Sequence, residues 1–156
     1  MGMNISHFGL VRQYKNLKDE LLDATDRALK DGQLVGGHYT RSFEEWLRHR
    51  TKTKYAVTVH SGTQALEIIA RYKYNNTPYI TGTTPHIKLP NFTYPATLNA
   101  FLSTGWNVEL VDTDKFGIMV GADYAPTVCL VGLYGMKPWP LWRIGEHAII
   151  DGAQHW

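Results

Sequence analysis

The sequence has little of several features that would assign a protein class at once. It contains a single cysteine, Cys129, so no disulfide can form within one chain, and its apolar neighbours favour a buried, unreactive thiol. No apolar stretch approaches the roughly 20 residues that a membrane-spanning helix needs. The chain also has almost no excess of one sign of charge, since it contains 16 Lys and Arg and 14 Asp and Glu. We therefore expect a cytoplasmic protein that has neither a membrane nor a nucleic acid as a partner.

The N-terminal part of the chain, residues 1–50, has the pattern of helices. The 156 residues, 44% of them hydrophobic, are enough for one domain with a core. After an irregular stretch over residues 4–14, apolar residues at helical spacing predict a helix over 17–30 with one buried face. Ser42 and Glu45 have the spacing of a capping box, which predicts that a second helix begins at this serine.

The rest of the chain, residues 51–156, alternates short apolar runs with helical segments, which is typical of an α/β sheet. The predicted strands occupy residues 55–59, 87–90, 108–111, 128–131 and 148–150. The predicted helices occupy residues 64–72 and 95–104, whereas 75–85 has the composition of a surface loop or a short hairpin and 136–146 allows only a short or broken helix. The last two strands are apolar throughout, which indicates a parallel sheet that is covered by helices on both faces.

Three groups of polar and aromatic residues follow predicted strands, at residues 61–63, 91–94 and 151–154. In an open α/β sheet, ligands bind outside the carboxyl ends of the strands. The first group begins a helix, where unpaired N–H groups and the helix dipole favour a phosphate. Tyr94 offers an aromatic face for stacking, and Asp151 offers a carboxylate for a protonated ring nitrogen. Pyridoxal phosphate (PLP) combines these three parts.

Each of these residues also has an ordinary structural interpretation. Ser61 and Thr63 are residue types that commonly cap a helix. Tyr94 alone is typical of a packing aromatic, and Asp151 alone is typical of a turn at the end of a strand. The seven histidines show no metal-ligand spacing, so no metal site is predicted. The functional interpretation therefore depends on several motifs occurring together.

Taken together, the motifs resemble the DegT/DnrJ/EryC1/StrS family of PLP-dependent sugar aminotransferases. The stretches that carry the resemblance, in the order of the family, are residues 36–45, 60–66, 90–97, 111–114, 133–135 and 150–154. The resemblance implies an α/β fold: the N-terminal part of the large domain of the aspartate-aminotransferase fold (fold type I), with a mostly parallel sheet and flanking helices. The motifs extend over nearly the whole chain.

The resemblance implies a role for each residue that matches a motif. Backbone amides of Gly62 and Thr63, with the hydroxyl of Ser61 or Thr63, would bind the phosphate of PLP. Tyr94 falls where the family places an aromatic that stacks on the pyridine ring. Asp151 would pair with the ring nitrogen and keep it protonated. Gln154 matches the glutamine that lies near the phenolic oxygen.

The resemblance also implies a lysine that forms a Schiff base with PLP, and no lysine of this sequence matches its position. In the family, that lysine follows well after the segment corresponding to residues 151–154. His155 is not at the lysine's position either, which disfavours the family's histidine-containing dehydratases. Residues 1–156 are therefore interpreted as one truncated large-domain fragment, with no catalytic residue assigned within it.

Three functions follow as hypotheses. The first is part of a PLP-dependent nucleotide-sugar aminotransferase, inactive alone and completed by a second polypeptide that supplies the C-terminal half. The alternative is a non-catalytic α/β binding or interaction protein that retains a phosphate or PLP site. The third is a product without function beyond folding. We also expect a homo-oligomer, because a shortened sheet leaves apolar surface uncovered and the family's sites form at a dimer interface.

Overall fold

A computed structural model describes residues 9–76, 83–121, 127–137 and 148–155 of the chain. The described residues fall into two compact units, one that ends at Thr58 and one that begins at Val59. Each unit is described by itself below. Of the predicted irregular segments, residues 77–82 of the loop and residues 138–146 of the broken helix lie outside the described residues.

The first unit contains two helices, α1 (Leu10–Asp31) and α2 (His38–Thr51). The helix predicted over 17–30 is present but begins at Leu10. The prediction of an irregular chain over residues 4–14 is therefore wrong for residues 10–14. The prediction of a buried face is also wrong, because no residue of α1 is buried, and Leu29 remains 61% exposed. Apolar residues at helical spacing predict the helix, but its apolar face is buried only where a second surface covers that face.

The start of α2 differs from the capping box that the sequence suggests. The helix begins at His38 after Gly37, so Ser42 lies inside it and caps nothing. The N–H of His38 is instead donated to Oε1 of Gln33, over 3.2 Å. A Cβ added at Gly37 would lie 2.7 Å from the Cβ of Gln33, so the close approach of this side chain requires glycine. The group that accepts this N–H is therefore the side chain of Gln33, which precedes Gly36 and Gly37.

The strand predicted over residues 55–59 is not formed in the structure. Tyr55 and Val57 are 74% and 77% exposed. The N–H and the hydroxyl of Thr58 both donate to Oε1 of Glu44, each over 2.8 Å. Because this carboxylate satisfies the Thr58 N–H group, that residue does not pair with a neighbouring strand.

The second unit is a parallel sheet with helices between its strands. Its elements in chain order are α3 (Gly62–Asn76), β1 (His86–Pro90), α4 (Pro95–Ser103), β2 (Asn107–Val111), β3 (Val128–Val131), a 3₁₀ turn (Leu133–Gly135) and β4 (Ala148–Asp151). The described strands lie in the order β2-β1-β3-β4, and every pairing is parallel. The last four predicted strands and both predicted helices of this region are thus confirmed, with ends that shift by four residues at most.

The core of the second unit lies between the sheet and its helices. Ile87 and Leu89 of β1 and Phe101 of α4 are fully buried. Trp106 packs edge-on against Phe101 and donates its indole N–H to the carbonyl oxygen of Ala70, over 3.0 Å. Cys129 is also buried, as predicted, and this burial, together with the charge of Asp151, raises the pKa of its thiol.

Two properties of the described ranges bear on the class of protein. No helix in them is both long and apolar enough to cross a membrane. The same residues contain no cluster of three or more His, Cys, Asp or Glu side chains that could hold a metal ion. In an open α/β sheet, ligands bind outside the carboxyl ends of the strands, and the candidate site lies at that edge.

Candidate functional site

One cavity of about 350 Å³ lies in the second unit, where α3 and α4 begin and β4 ends. Its lining residues are Gly62, Thr63, Leu66, Tyr94, Ala96, Thr97, Asp151, Ala153 and Gln154. Five of the six residues predicted for the site are in this set. The sixth, Ser61, does not line the cavity. A volume of this size falls within the usual range for small-molecule sites.

One wall of the cavity is the first turn of α3. The hydroxyl oxygen of Ser61 accepts the N–H of Gln64 over 3.1 Å, so this serine caps the helix. Within the described part of the chain, no group accepts the backbone N–H of Gly62 or Thr63. An added Cβ at Gly62 would meet nothing within 4 Å, so the approach to these amides is open. The turn can therefore accept an anion from the cavity.

Another part of the cavity wall is formed by Asp151, at the end of β4. The hydroxyl of Thr97 donates to its Oδ2 over 2.8 Å, and the N–H of Ala153 donates to its Oδ1 over 3.2 Å. The backbone oxygen of Asp151 accepts the N–H of Gly132 over 2.9 Å, which continues the pairing of β3 with β4. Both the main chain and the side chain of this residue are thus held in place.

Sequence reasoning assigned no role to Thr97. It lies in the matched stretch 90–97, and its side chain is fully buried. The signal that could have found it is a threonine one helical turn after Thr93 at the start of a predicted helix. Nothing in that spacing shows that its partner, Asp151, lies 54 residues further along the chain.

Gln154 connects the cavity to the turn that follows β3. Its Oε1 accepts the N–H of Tyr134 over 2.7 Å, and Tyr134 itself has a left-handed backbone, with φ of 55°. The Nδ1 of His155 lies 3.2 Å from the carbonyl oxygen of Gly135 in the same turn. The Oε1 atom of Gln154 already accepts one hydrogen bond, and its NH₂ group can donate to a ligand.

Tyr94 lies at the start of α4, immediately before Pro95. Proline fixes the first helical residue and restricts the residue before it to an extended backbone, which Tyr94 adopts at φ of −70° and ψ of 137°. The tyrosine remains 68% exposed while it lines the cavity. Most of the side chain is therefore free to contact a ligand.

These features define a class of protein before any comparison. A parallel α/β sheet carries an open helix N-terminus, an exposed aromatic ring and a fixed carboxylate around one cavity at its carboxyl edge. This is the arrangement of the large domain of fold type I.

The pattern of the DegT/DnrJ/EryC1/StrS aminotransferase family matches residues 15–125, and the chain belongs to this family. It is 33% identical over 108 residues to UDP-4-amino-4,6-dideoxy-N-acetyl-beta-L-altrosamine transaminase of Campylobacter jejuni. That match covers 69% of this chain and 27% of the relative. The chain thus spans about a quarter of the length of the curated relatives that it matches.

Solved structures share the fold. A DegT DnrJ EryC1 StrS aminotransferase from Brucella abortus superposes with a TM-score of 0.81 at 21% identity, over 97% of this chain and 45% of that one. A GDP-4-keto-6-deoxy-D-mannose-3-dehydratase of Escherichia coli with bound hydrated PLP gives a TM-score of 0.68 at 23% identity, over 83% and 36% of the two chains. The predicted fold class, part of the large domain of fold type I, is confirmed.

Proposed function

We propose that this chain forms the PLP-holding part of a sugar aminotransferase, and that the Schiff-base lysine comes from polypeptide outside residues 1–156. The observation that carries the proposal is the convergence of Gly62, Thr63, Tyr94, Asp151 and Gln154 on one cavity. Membership of an aminotransferase family and the fold of its solved relatives support it. The substrate proposed for the completed enzyme is a sugar nucleotide.

The residues around the cavity fit the chemical groups of PLP. The open N–H groups of Gly62 and Thr63 suit the phosphate, and the carboxylate of Asp151 suits a protonated ring nitrogen. The exposed ring of Tyr94 can stack on an aromatic face, and the NH₂ group of Gln154 can donate to a phenolic oxygen. The cavity thus offers hydrogen-bond donors for the phosphate and the phenolic oxygen of PLP, and an acceptor for its ring nitrogen.

Each residue has a separate task in this proposal. The first turn of α3 binds the phosphate and fixes the position of the cofactor. Asp151 holds the proton on the ring nitrogen, while Tyr94 covers one face of the ring and excludes water from it. When bound, PLP supplies an electron-accepting ring for the transfer of an amino group.

The position of the lysines bears on what residues 1–156 can do by themselves. Every lysine of the sequence lies among the described residues, and none of them lines the cavity. Covalent attachment of PLP therefore needs an amine from polypeptide outside residues 1–156. We expect the chain alone to bind PLP reversibly and to transfer no amino group.

Equilibrium dialysis of the purified protein against PLP tests the first part of the proposal. We expect saturable binding that Asp151→Asn weakens at least tenfold, because a hydrogen bond to a charged group is worth about 1.5–3 kcal/mol. Asp19→Asn, which removes the same charge from α1, is the matched control and should bind PLP as the unmodified protein does. Absence of saturable binding would refute the proposal.

Borohydride reduction tests the origin of the lysine. In the purified chain with PLP, mass spectrometry should find no phosphopyridoxyl group on a single preferred lysine. In material recovered from the native source, the modified lysine should belong to a peptide that is absent from residues 1–156. A specific adduct on a lysine of this chain, such as Lys137, would contradict the proposal.

A further inference from the structure

The buried hydroxyl of Thr97 is a polar group that the proposed function does not use. Thr97 is the third residue of α4 and has no exposed surface, whereas most threonines of proteins face solvent. A buried hydroxyl is costly unless it is hydrogen-bonded. Its partners therefore indicate why it is in this position.

The hydroxyl lies in a short chain of hydrogen bonds that ends at the cavity. It accepts the hydroxyl of Thr93 over 3.3 Å and donates its own proton to Oδ2 of Asp151 over 2.8 Å. The other oxygen of the carboxylate, Oδ1, accepts the N–H of Ala153 over 3.2 Å. Two donors from different elements thus hold the carboxylate at both of its oxygens.

The two donors differ in what they can fix. The N–H of Ala153 is only two residues from Asp151 and forms a local turn, which moves with the end of β4. The hydroxyl of Thr97 belongs to α4 and joins the carboxylate to a helix that is 54 residues away in the chain. Only this second bond ties the side chain to a separate rigid element.

We infer that Thr97 is the positioning residue for Asp151, and that its hydroxyl holds the carboxylate in the one orientation that faces a ring nitrogen in the cavity. This inference rests on the proposed function for its ligand. The orientation of the Asp151 carboxylate does not depend on the proposed function, and it can be measured without any ligand.

The first experiment uses the protein without PLP. Three-bond NMR couplings of the Asp151 β protons should show one side-chain rotamer in the unmodified protein and a mixture of rotamers in Thr97→Val, which keeps the shape but removes the hydroxyl. Thr97→Ser keeps the hydroxyl and should restore the single rotamer. Thr127→Val replaces another buried threonine that does not line the cavity and should leave Asp151 unchanged.

The outcomes separate a positioning role from a merely structural one. Loss of stability in Thr97→Val with an unchanged Asp151 rotamer would overturn the inference. If this variant does not fold, the unmodified protein supplies the test, because a buried hydroxyl proton that is held by a carboxylate exchanges slowly with water. The Thr97 hydroxyl proton should then be visible and show a cross-peak to the Asp151 β protons, and its absence would refute the inference.

The second experiment adds PLP. We expect Thr97→Val to bind PLP about three- to tenfold more weakly, which is the range for a contact side chain that must be ordered on binding. Thr97→Ser should bind within about twofold of the unmodified protein, and equal affinity of the valine variant would count against the inference. If the unmodified protein does not bind PLP, the proposed function fails, while the rotamer measurement still decides the role of Thr97.

Discussion

The two units of the chain differ in what holds them together. In the first unit, no residue of α1 or α2 is buried, and the contacts along these helices include exposed ion pairs such as Asp26 with Lys30, at 2.7 Å. In the second unit, Ile87, Leu89 and Phe101 have no exposed surface and lie in one continuous core. Exposed ion pairs contribute little to stability, whereas each buried apolar side chain contributes roughly 1.5–3 kcal/mol.

The difference teaches where stability and the candidate site are found. The cavity and its hydrogen bonds lie in the second unit, on the elements that the core holds rigid. The first unit instead presents apolar side chains to its surroundings, among them Leu10, Val11 and Leu22. Exposed apolar surface of this kind is typical of an interaction face. The homo-oligomer expected from the sequence remains a prediction.

The largest expected effect is the loss of a core side chain. Phe101→Ala should lower the free energy of unfolding by about 3–5 kcal/mol, because it leaves a cavity beside Trp106. Leu21→Ala in α1, where the leucine is 51% exposed, should change it by no more than about 0.5 kcal/mol. Urea denaturation followed by near-ultraviolet circular dichroism measures both, and similar losses would abolish the contrast between the units.

A smaller effect is expected at the turn after β3. In Gly132→Ala, the new Cβ would lie 2.6 Å from the Cβ of His155 and 3.2 Å from the carbonyl oxygen of Met136. We expect a loss of about 1–3 kcal/mol from overpacking, and a shifted NMR signal for the Tyr134 N–H. Gly62→Ala, whose Cβ would meet nothing within 4 Å, is the control and should not destabilise the protein. Equal stability of the two variants would show that the turn is freely adjustable.

The smallest effect is expected in the first unit, at acidic pH. Arg48 donates Nε–H and Nη2–H to the two oxygens of Glu45, over 2.9 and 2.6 Å, and these bonds lower the pKa of Glu45 to about 2. Because this pKa lies below the ordinary value of 4.5, the bonds between Arg48 and Glu45 stabilise the folded state above pH 4.5. This stabilisation is lost as the pH falls towards 2. The effect should be confined to the first unit.

An NMR titration of the Glu45 side-chain carboxyl carbon measures this shift. Arg48→Gln should return the pKa towards 4.5, because it removes the largest cause of the shift. Arg50→Gln, which removes the same charge in the last turn of α2, should leave it low. A Glu45 that titrates near 4.5 in the unmodified protein would show that the ion pair does not form in solution.

Short-range patterns allowed much of the second unit to be predicted. The apolar runs of β3 and β4 needed no partner information to be recognised, and Pro95 marked the start of α4. Ser61 caps α3, in agreement with the ordinary interpretation of its residue type. These features depend on residues that are neighbours in the sequence.

The features that sequence reasoning missed depend on distant partners. Residues 55–59 have the composition of a strand, but Glu44 takes the N–H of Thr58 from 14 residues away. The role of Thr97 depends on a residue still further along the chain. The structure brings five of the six predicted site residues to one cavity, and their binding of a cofactor stays a prediction.

The long separation of Thr97 and Asp151 along the chain also has a consequence for biosynthesis. Asp151 is translated 54 residues after Thr97, and at about 5–20 residues per second the ribosome needs roughly 3 to 11 seconds to cover that distance. During this interval, the nascent chain has the first turn of α3 and the ring of Tyr94, but it lacks the carboxylate that completes the cavity. The order of synthesis therefore makes the arrival of β4 the event that completes the cavity.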